Sequence, residues 1–170
     1  MLQGLLRVID KISRAQPVYA HCDIPCGIYD PHEAQVAAHT IIRMVSLLDE
    51  LKPSKEEPDF EERKRIISQI ARLTRVKEEH AEMVKHELRV LWADYFKEEH
   101  LKEYPHLHDT FWKAMKLASK ARQEVNIEAA QELLGEVQKI AEIFWKTKGI
   151  ATARIPSPYP SGGEIVVPKG

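Results

Sequence analysis

The chain reads as all-α, an antiparallel up-down four-helix bundle preceded by a short cysteine-bearing hook. Three features of the sequence predict this. Apolar residues recur three and four apart through long segments, the period of helices with one buried face. Capping residues, prolines and glycines separate those segments by short connections, which makes successive helices antiparallel neighbours. Of the 170 residues, 44% are apolar and 30% charged, with Glu, Lys, Arg, Ala and Leu plentiful, as suits one helical domain with a real core. The formal net charge of −1 offers no basic surface to nucleic acid, and no apolar run is long enough to cross a membrane.

Residues 1–20 open with Leu5, Leu6, Ile9 and Ile12 at helical spacing, but Arg7, Asp10 and Lys11 break the apolar core that a secretory signal needs. Gln16-Pro17-Val18-Tyr19-Ala20 then reads as an extended, protease-accessible linker. Residues 21–30 form the hook, and the bundle occupies 31–149. Asp30 as N-cap, Pro31 at the first helical position and Glu33 as the partner of a capping box start a helix running to about Leu51. Its seam is Ala34, Ala38, Ile41, Val45 and Leu48. Pro53 and Pro58 bracket a charged loop, and Asp59 with Glu62 opens a long helix to about Phe96. The seam there runs Ile66, Ile70, Leu73, Val76, His80, Val84, Leu88 or Leu91, and Tyr95. Lys97 to Tyr104-Pro105 is a loop. His100, His106 and His108 around it read as a solvated face and an interface, with a loose metal cluster as the alternative. A third helix spans about 106–124, with Phe111, Trp112, Met115, Leu117 and Ala118 inward. Asn126 caps a fourth, which buries Leu133, Val137, Ile140, Ile143 and Phe144 and stops at Gly149. Residues 150–170 are rich in proline and glycine and read as a flexible tail, although Glu164-Ile165-Val166-Val167 could add a strand to a partner.

The chemistry lies in His21-Cys22-Asp23-Ile24-Pro25-Cys26-Gly27-Ile28-Tyr29-Asp30-Pro31, which holds both cysteines of the chain. If the chain began at His21, its terminal amine and the Cys22 amide nitrogen would close one chelate ring on a metal, and the Cys22 sulfur a second. Cys26 returns through the turn at Pro25 with another thiolate. Two nitrogens and two sulfurs in a plane suit Ni(II) or Cu(II) better than zinc. The His21 imidazole can swing over as an axial ligand. Such donors stabilise the higher oxidation state, so the ion can both oxidise and reduce a small radical. A disulfide and half of a zinc site are the bland alternatives. Two cysteines with no export signal argue against the first, and the lack of a second Cys/His cluster argues against the other.

The pattern H-C-D-x-P-C-G-x-Y-D-P resembles the nickel hook of nickel-containing superoxide dismutases, with every fixed position present. Val90-Leu91-Trp92-Ala93-Asp94-Tyr95-Phe96-Lys97, continuing to Tyr104-Pro105-His106-Leu107-His108, is similar to the same family, as is Ile143-Phe144-Trp145-Lys146-Thr147-Lys148. The resemblance implies disproportionation of superoxide to dioxygen and hydrogen peroxide by Ni(II)/Ni(III) cycling, with one nickel per subunit held by His21, Cys22 and Cys26. It implies that residues 1–20 are a propeptide removed between Ala20 and His21 by a processing peptidase, since the hook needs a free amine; an ordinary N-terminal helix is the alternative. It also implies a homohexamer and a hook in which Pro25 is cis. Tyr29 and Tyr95 are expected near the open face of the metal, their hydroxyls ordering water, restricting access to small anions and helping to deliver protons, with Asp23 in the water network of the loop and Lys97 where it draws in the anion. Plain packing is the alternative for each tyrosine. The Arg and Glu that commonly position the axial imidazole in this family fall at His80 and Ala37 here. That departure leaves His80 either as a replacement support for His21 or as a satisfied core histidine. A cytoplasmic enzyme without nucleic-acid or membrane partners is expected. A nickel or copper carrier, or a structural bundle with a vestigial hook, are the other classes; Tyr29, Tyr95 and Lys97 around an open metal face favour the enzyme.

Overall fold

The computed structural model describes residues 27–169. Helix α1 spans His32–Glu50. The cap falls one residue later than expected: Pro31, whose carbonyl takes the Gln35 N–H at 3.3 Å, stands at the N-cap without the expected Glu33 capping box, and Asp30 before it still accepts the His32 N–H at 2.7 Å, satisfying a first-turn donor. Helix α2 spans Phe60–Val90 and is capped by Asp59, which accepts the Glu62 N–H at 2.9 Å. Glu62 does not complete the capping box. Its carboxylate instead takes the Ser54 N–H at 2.7 Å and the Ser54 hydroxyl at 2.9 Å, tying the charged loop to the helix start. Past Val90 the chain widens into a π-helical turn, Leu91–Tyr95, closed by Phe96 N–H to Leu91 O at 2.9 Å. The expected continuous helix to Phe96 thus carries one extra residue in its last turn, which turns the following side chains by about 100°. A short helix α3, Glu98–Glu103, occupies the expected loop. Helix α4 spans Leu107–Gln123 and α5 spans Ile127–Thr147, the latter capped by Asn126 through the Ala129 N–H at 2.8 Å. Gly149, at φ 72°, takes the left-handed backbone that ends α5.

Helix α1 packs against α2 and α5, and α4 closes the ring against the same two. The core they enclose includes Ile41, Val45, Val84, Leu88, Leu133, Val137, Ile140 and Phe144, all fully buried. On α4 the inward face is Leu107, Phe111, Ala114, Ala118 and Ala121; the small side chains let the neighbouring backbones approach, and Trp112 is turned out at 60% exposure. The expected seam on α2 holds only in its second half. No residue between Phe60 and Val76 is buried, and Phe60, Ile67 and Ile70 are open to solvent. The buried run of α2 begins at Lys77, whose ammonium donates to the carbonyls of Ala121, Arg122 and Glu124 at 2.7, 2.6 and 2.9 Å. Those oxygens have lost their helical donors at the end of α4, so a cation meets the negative pole of the helix. Burial nevertheless pushes the Lys77 pKa below the ordinary lysine value, with Glu78 opposing.

The flexible tail expected at 150–170 is instead an ordered hairpin. Strands β1, Thr152–Pro156, and β2, Glu164–Pro168, pair antiparallel from Thr152↔Pro168 to Pro156↔Glu164. The prolines end the strands and do not interrupt them, so the ladder keeps its donors. Gly162 and Gly163, at φ 67° and 72°, supply the left-handed backbone of the turn. Ile165 and Val166 are buried, and Gln35 of α1 holds both polar groups of Val166, donating to its carbonyl at 3.1 Å and accepting its N–H at 2.8 Å. Gln138 of α5 donates to Glu164 O, and Arg154 binds Glu142 at 2.7 Å. A two-stranded ribbon alone is marginal in water; here the α1–α5 face supplies its missing core.

Candidate active site

The up-down order brings the entry to α1, the end of α2 and the end of α5 to the same end of the bundle. Gly27 stands there at φ 73°, a left-handed turn that a side chain would strain, where the hook joins the helices. The Tyr29 ring lies 5.6 Å from that of Tyr95. Tyr95 is held on its other sides by Phe144 at 4.6 Å, Phe96 at 5.1 Å and the stacked His100 ring at 5.7 Å. Its hydroxyl meets Thr147 Oγ1 at 2.7 Å. Lys148 Nζ sits 4.7 Å from the Phe144 ring centroid and 5.6 Å from that of Tyr95, a cation–π placement that keeps the ammonium at this end of the molecule.

These groups line an open hollow of about 470 Å³. Gly27, Tyr29 and Tyr95 form part of its wall, with Lys97 and Lys148 as its cations and Asp94 and Glu99 as its carboxylates. His100 completes it, and its Nδ1 accepts the Lys97 N–H at 3.1 Å. The formal charges of the lysines and carboxylates balance, so attraction of an anion depends on where Lys97 and Lys148 stand and not on a net field.

Three of the expected site residues, Tyr29, Tyr95 and Lys97, therefore meet around one hollow. His21, Cys22, Asp23 and Cys26, with Pro25, lie outside the described residues. Among the described residues no group of three or more His, Cys, Asp or Glu side chains is placed to hold a metal ion. Gly27, which follows Cys26 in the sequence, lines the hollow. His80 does not join the hollow within one chain. It stands 15 residues before Tyr95 on the same helix, about 22 Å along its axis, and its Nδ1 donates to Val76 O at 2.8 Å. Ala37, at the other departure from the family pattern, is fully buried in the core. The three loop histidines also separate. His100 stacks on Tyr95, His108 packs edge-on against Trp92 at 5.7 Å, and His106 is exposed. Thr147, Lys148, Asp94 and Glu99 were given no role by sequence reasoning. The signal for three of them was present, since Asp94, Thr147 and Lys148 fall inside the stretches that carry the resemblance.

Comparison with known proteins gives the same answer. Residues 16–148 match the family described as nickel-containing superoxide dismutase. The chain is 37% identical over 131 residues to the protein named superoxide dismutase [Ni] of Streptomyces coelicolor, covering 77% of this chain and 90% of that one. The Streptomyces seoulensis protein of the same name matches to the same extent, 37% over 131 residues. Among solved structures, native nickel superoxide dismutase at 1.30 Å superposes with a TM-score of 0.63 at 34% identity, covering 75% of this chain and 99% of that one. A nickel-containing superoxide dismutase with ligation corresponding to the oxidised state gives 0.64 at 34% identity, over 76% and 99% of the two chains. The hairpin β1–β2 lies beyond residue 148, outside the matched region. With the family matched over most of the chain and the relatives and solved structures covered nearly end to end, the chain belongs to the nickel-containing superoxide dismutase family.

Proposed function

We propose that His21, Cys22 and Cys26 hold one nickel ion per subunit beside the hollow of Tyr29, Tyr95 and Lys97, where superoxide becomes dioxygen and hydrogen peroxide. The family and its relatives establish the activity and the metal. Bound nickel supplies the redox chemistry, alternating between its +2 and +3 states as one superoxide is oxidised and a second, with two protons, is reduced. The chain's own residues do the rest. Lys97 and Lys148 present ammonium groups to a small anion at the rim. The Tyr29 and Tyr95 rings, 5.6 Å apart, narrow the approach so that water-sized species reach the metal and larger ones do not. Asp23 supports the water network of the hook. His80, bonded to its own helix, is read as a satisfied histidine and not as a support for His21.

The observation that carries these roles is the convergence of Tyr29, Tyr95 and Lys97 beside Gly27, drawn from positions far apart in the sequence. Removal of residues 1–20 by a processing peptidase, assembly into a homohexamer and a cytoplasmic location complete the reading. The solvent-exposed Phe60, Ile67 and Ile70 on α2, with Trp112 on α4, support assembly, since such apolar area is costly to leave in water. No helix among the described residues is long and apolar enough to cross a membrane. Replacing Cys26 with Ser tests the ligand assignment: bound nickel and superoxide turnover should both vanish while helical circular dichroism stays at the parent level. Full activity of that variant would remove Cys26 from the metal site.

A further inference from the structure

Thr147 Oγ1 has two neighbours, and it has one proton to give. It lies 2.7 Å from Phe144 O and 2.7 Å from the Tyr95 hydroxyl. The Phe144 carbonyl would ordinarily accept the N–H of Lys148, four residues on, but at the end of α5 that N–H turns to Trp145 O at 3.1 Å. Phe144 O is therefore an orphan acceptor of the last helical turn, and the Thr147 hydroxyl is its donor. A threonine that back-bonds to its own helix has a lone pair left and no second proton. The bond between Thr147 and Tyr95 can then run in only one direction, with the phenol donating.

We propose that Thr147 is a positioning residue that ties up the Tyr95 hydroxyl proton, so that Tyr95 turns oxygen lone pairs, not a proton, toward the hollow. The ring cannot easily rotate away from this arrangement, because Phe144, Phe96, His100 and Tyr29 surround it within 5.7 Å. Tyr95 then accepts a hydrogen bond from water, or from the O–H of the hydrogen peroxide formed, and the protons consumed in the reaction arrive by another route. This rests on the reading of Tyr95 as a site residue.

The test uses the nickel-loaded, processed enzyme and compares the parent with Thr147→Val, which keeps the shape but removes the hydroxyl, and Thr147→Ser, which restores it. The tyrosine doublet in ultraviolet resonance Raman spectra reports whether a phenol donates or accepts, and Tyr95→Phe isolates the Tyr95 contribution by difference. Tyr95 should show the donor pattern in the parent and in Thr147→Ser and lose it in Thr147→Val. Turnover in Thr147→Val should fall about three- to tenfold, the scale of one neutral hydrogen bond, with recovery in Thr147→Ser. Adding Thr147→Val to Tyr95→Phe should cost nothing more, because the two act through one contact. A donor pattern that persists in Thr147→Val, or losses that add in the double variant, overturns the proposal while leaving Tyr95 in the site. Full activity of Tyr95→Phe overturns the site reading and the catalytic half of this proposal with it.

Discussion

His39 shows how one side chain can fasten the C-terminal hairpin to the bundle. It is buried on α1, where its Nε2 donates to Glu164 O at 3.1 Å, so its Nδ1 accepts from the Ser161 hydroxyl at 2.9 Å. The Tyr159 ring covers it at 5.2 Å. Burial holds its pKa below the ordinary 6.5, and the bond to the Glu164 carbonyl only partly opposes this. The unfolded chain therefore takes up this proton before the folded one does. Its contribution to stability is full above about pH 6.5 and is lost as pH falls from there through the depressed folded value. The melting temperature of the parent should drop on acidification more steeply than that of His39→Gln, whose side chain can bond the same partners without titrating. Parallel slopes for the two proteins would mean that His39 is not the group responsible. None of this was visible in the sequence, because the partners of His39 lie more than 120 residues away and belong to a stretch whose composition read as a flexible tail.

The elements divide into those set by local chemistry and those set by neighbours. Asp59, Asn126 and Gly149 mark their helix ends in the sequence because capping is a matter of a few adjacent residues. The π turn at Leu91–Tyr95 is not written locally: its residues suit an ordinary helix, and the extra residue shows only once Tyr95 and Phe96 are packed among Tyr29, Phe111 and Phe144. The first half of α2 has a seam by spacing but none of it is fully buried, and Ile70 stands open to solvent, since periodicity says which side is apolar but not what covers it. The hairpin was hidden by its prolines and glycines, which sit at strand ends and at the turn. Ending the chain after Gly149 would uncover the groove that Ile165 and Val166 fill and leave Gln35 without its bonds to Val166. Such a truncation should lower the melting temperature by about 5–10 °C, from the apolar burial and paired polar groups it removes. Superoxide turnover should be kept, because the hairpin contributes no residue to the hollow. An equal melting temperature would show that the hairpin rides on the bundle without supporting it.

As a whole the molecule is a scaffold that delivers distant segments to one end. The up-down order fixes that the entry to α1 and the exits of α2 and α5 share a face, so the separate stretches resembling the family converge, and this much followed from helix count and loop length. Which side chains complete the hollow did not follow, since Lys148 lines it, and Thr147 meets the Tyr95 hydroxyl behind it, only through the way α5 ends. The ligands proposed for the metal all belong to residues 21–26, and on that proposal their chemistry depends on a covalent event outside the fold, the liberation of the His21 amine. In the intact chain that nitrogen is a peptide amide and a far weaker donor. The most direct measurement is therefore nickel content and superoxide turnover on two forms of the same protein, the full chain and the chain beginning at His21, with each N-terminus verified by intact mass. The account predicts about one nickel per subunit and activity in the shortened form, and neither in the full chain. Activity in a molecule that still carries residues 1–20, or in the shortened form stripped of nickel, would contradict it.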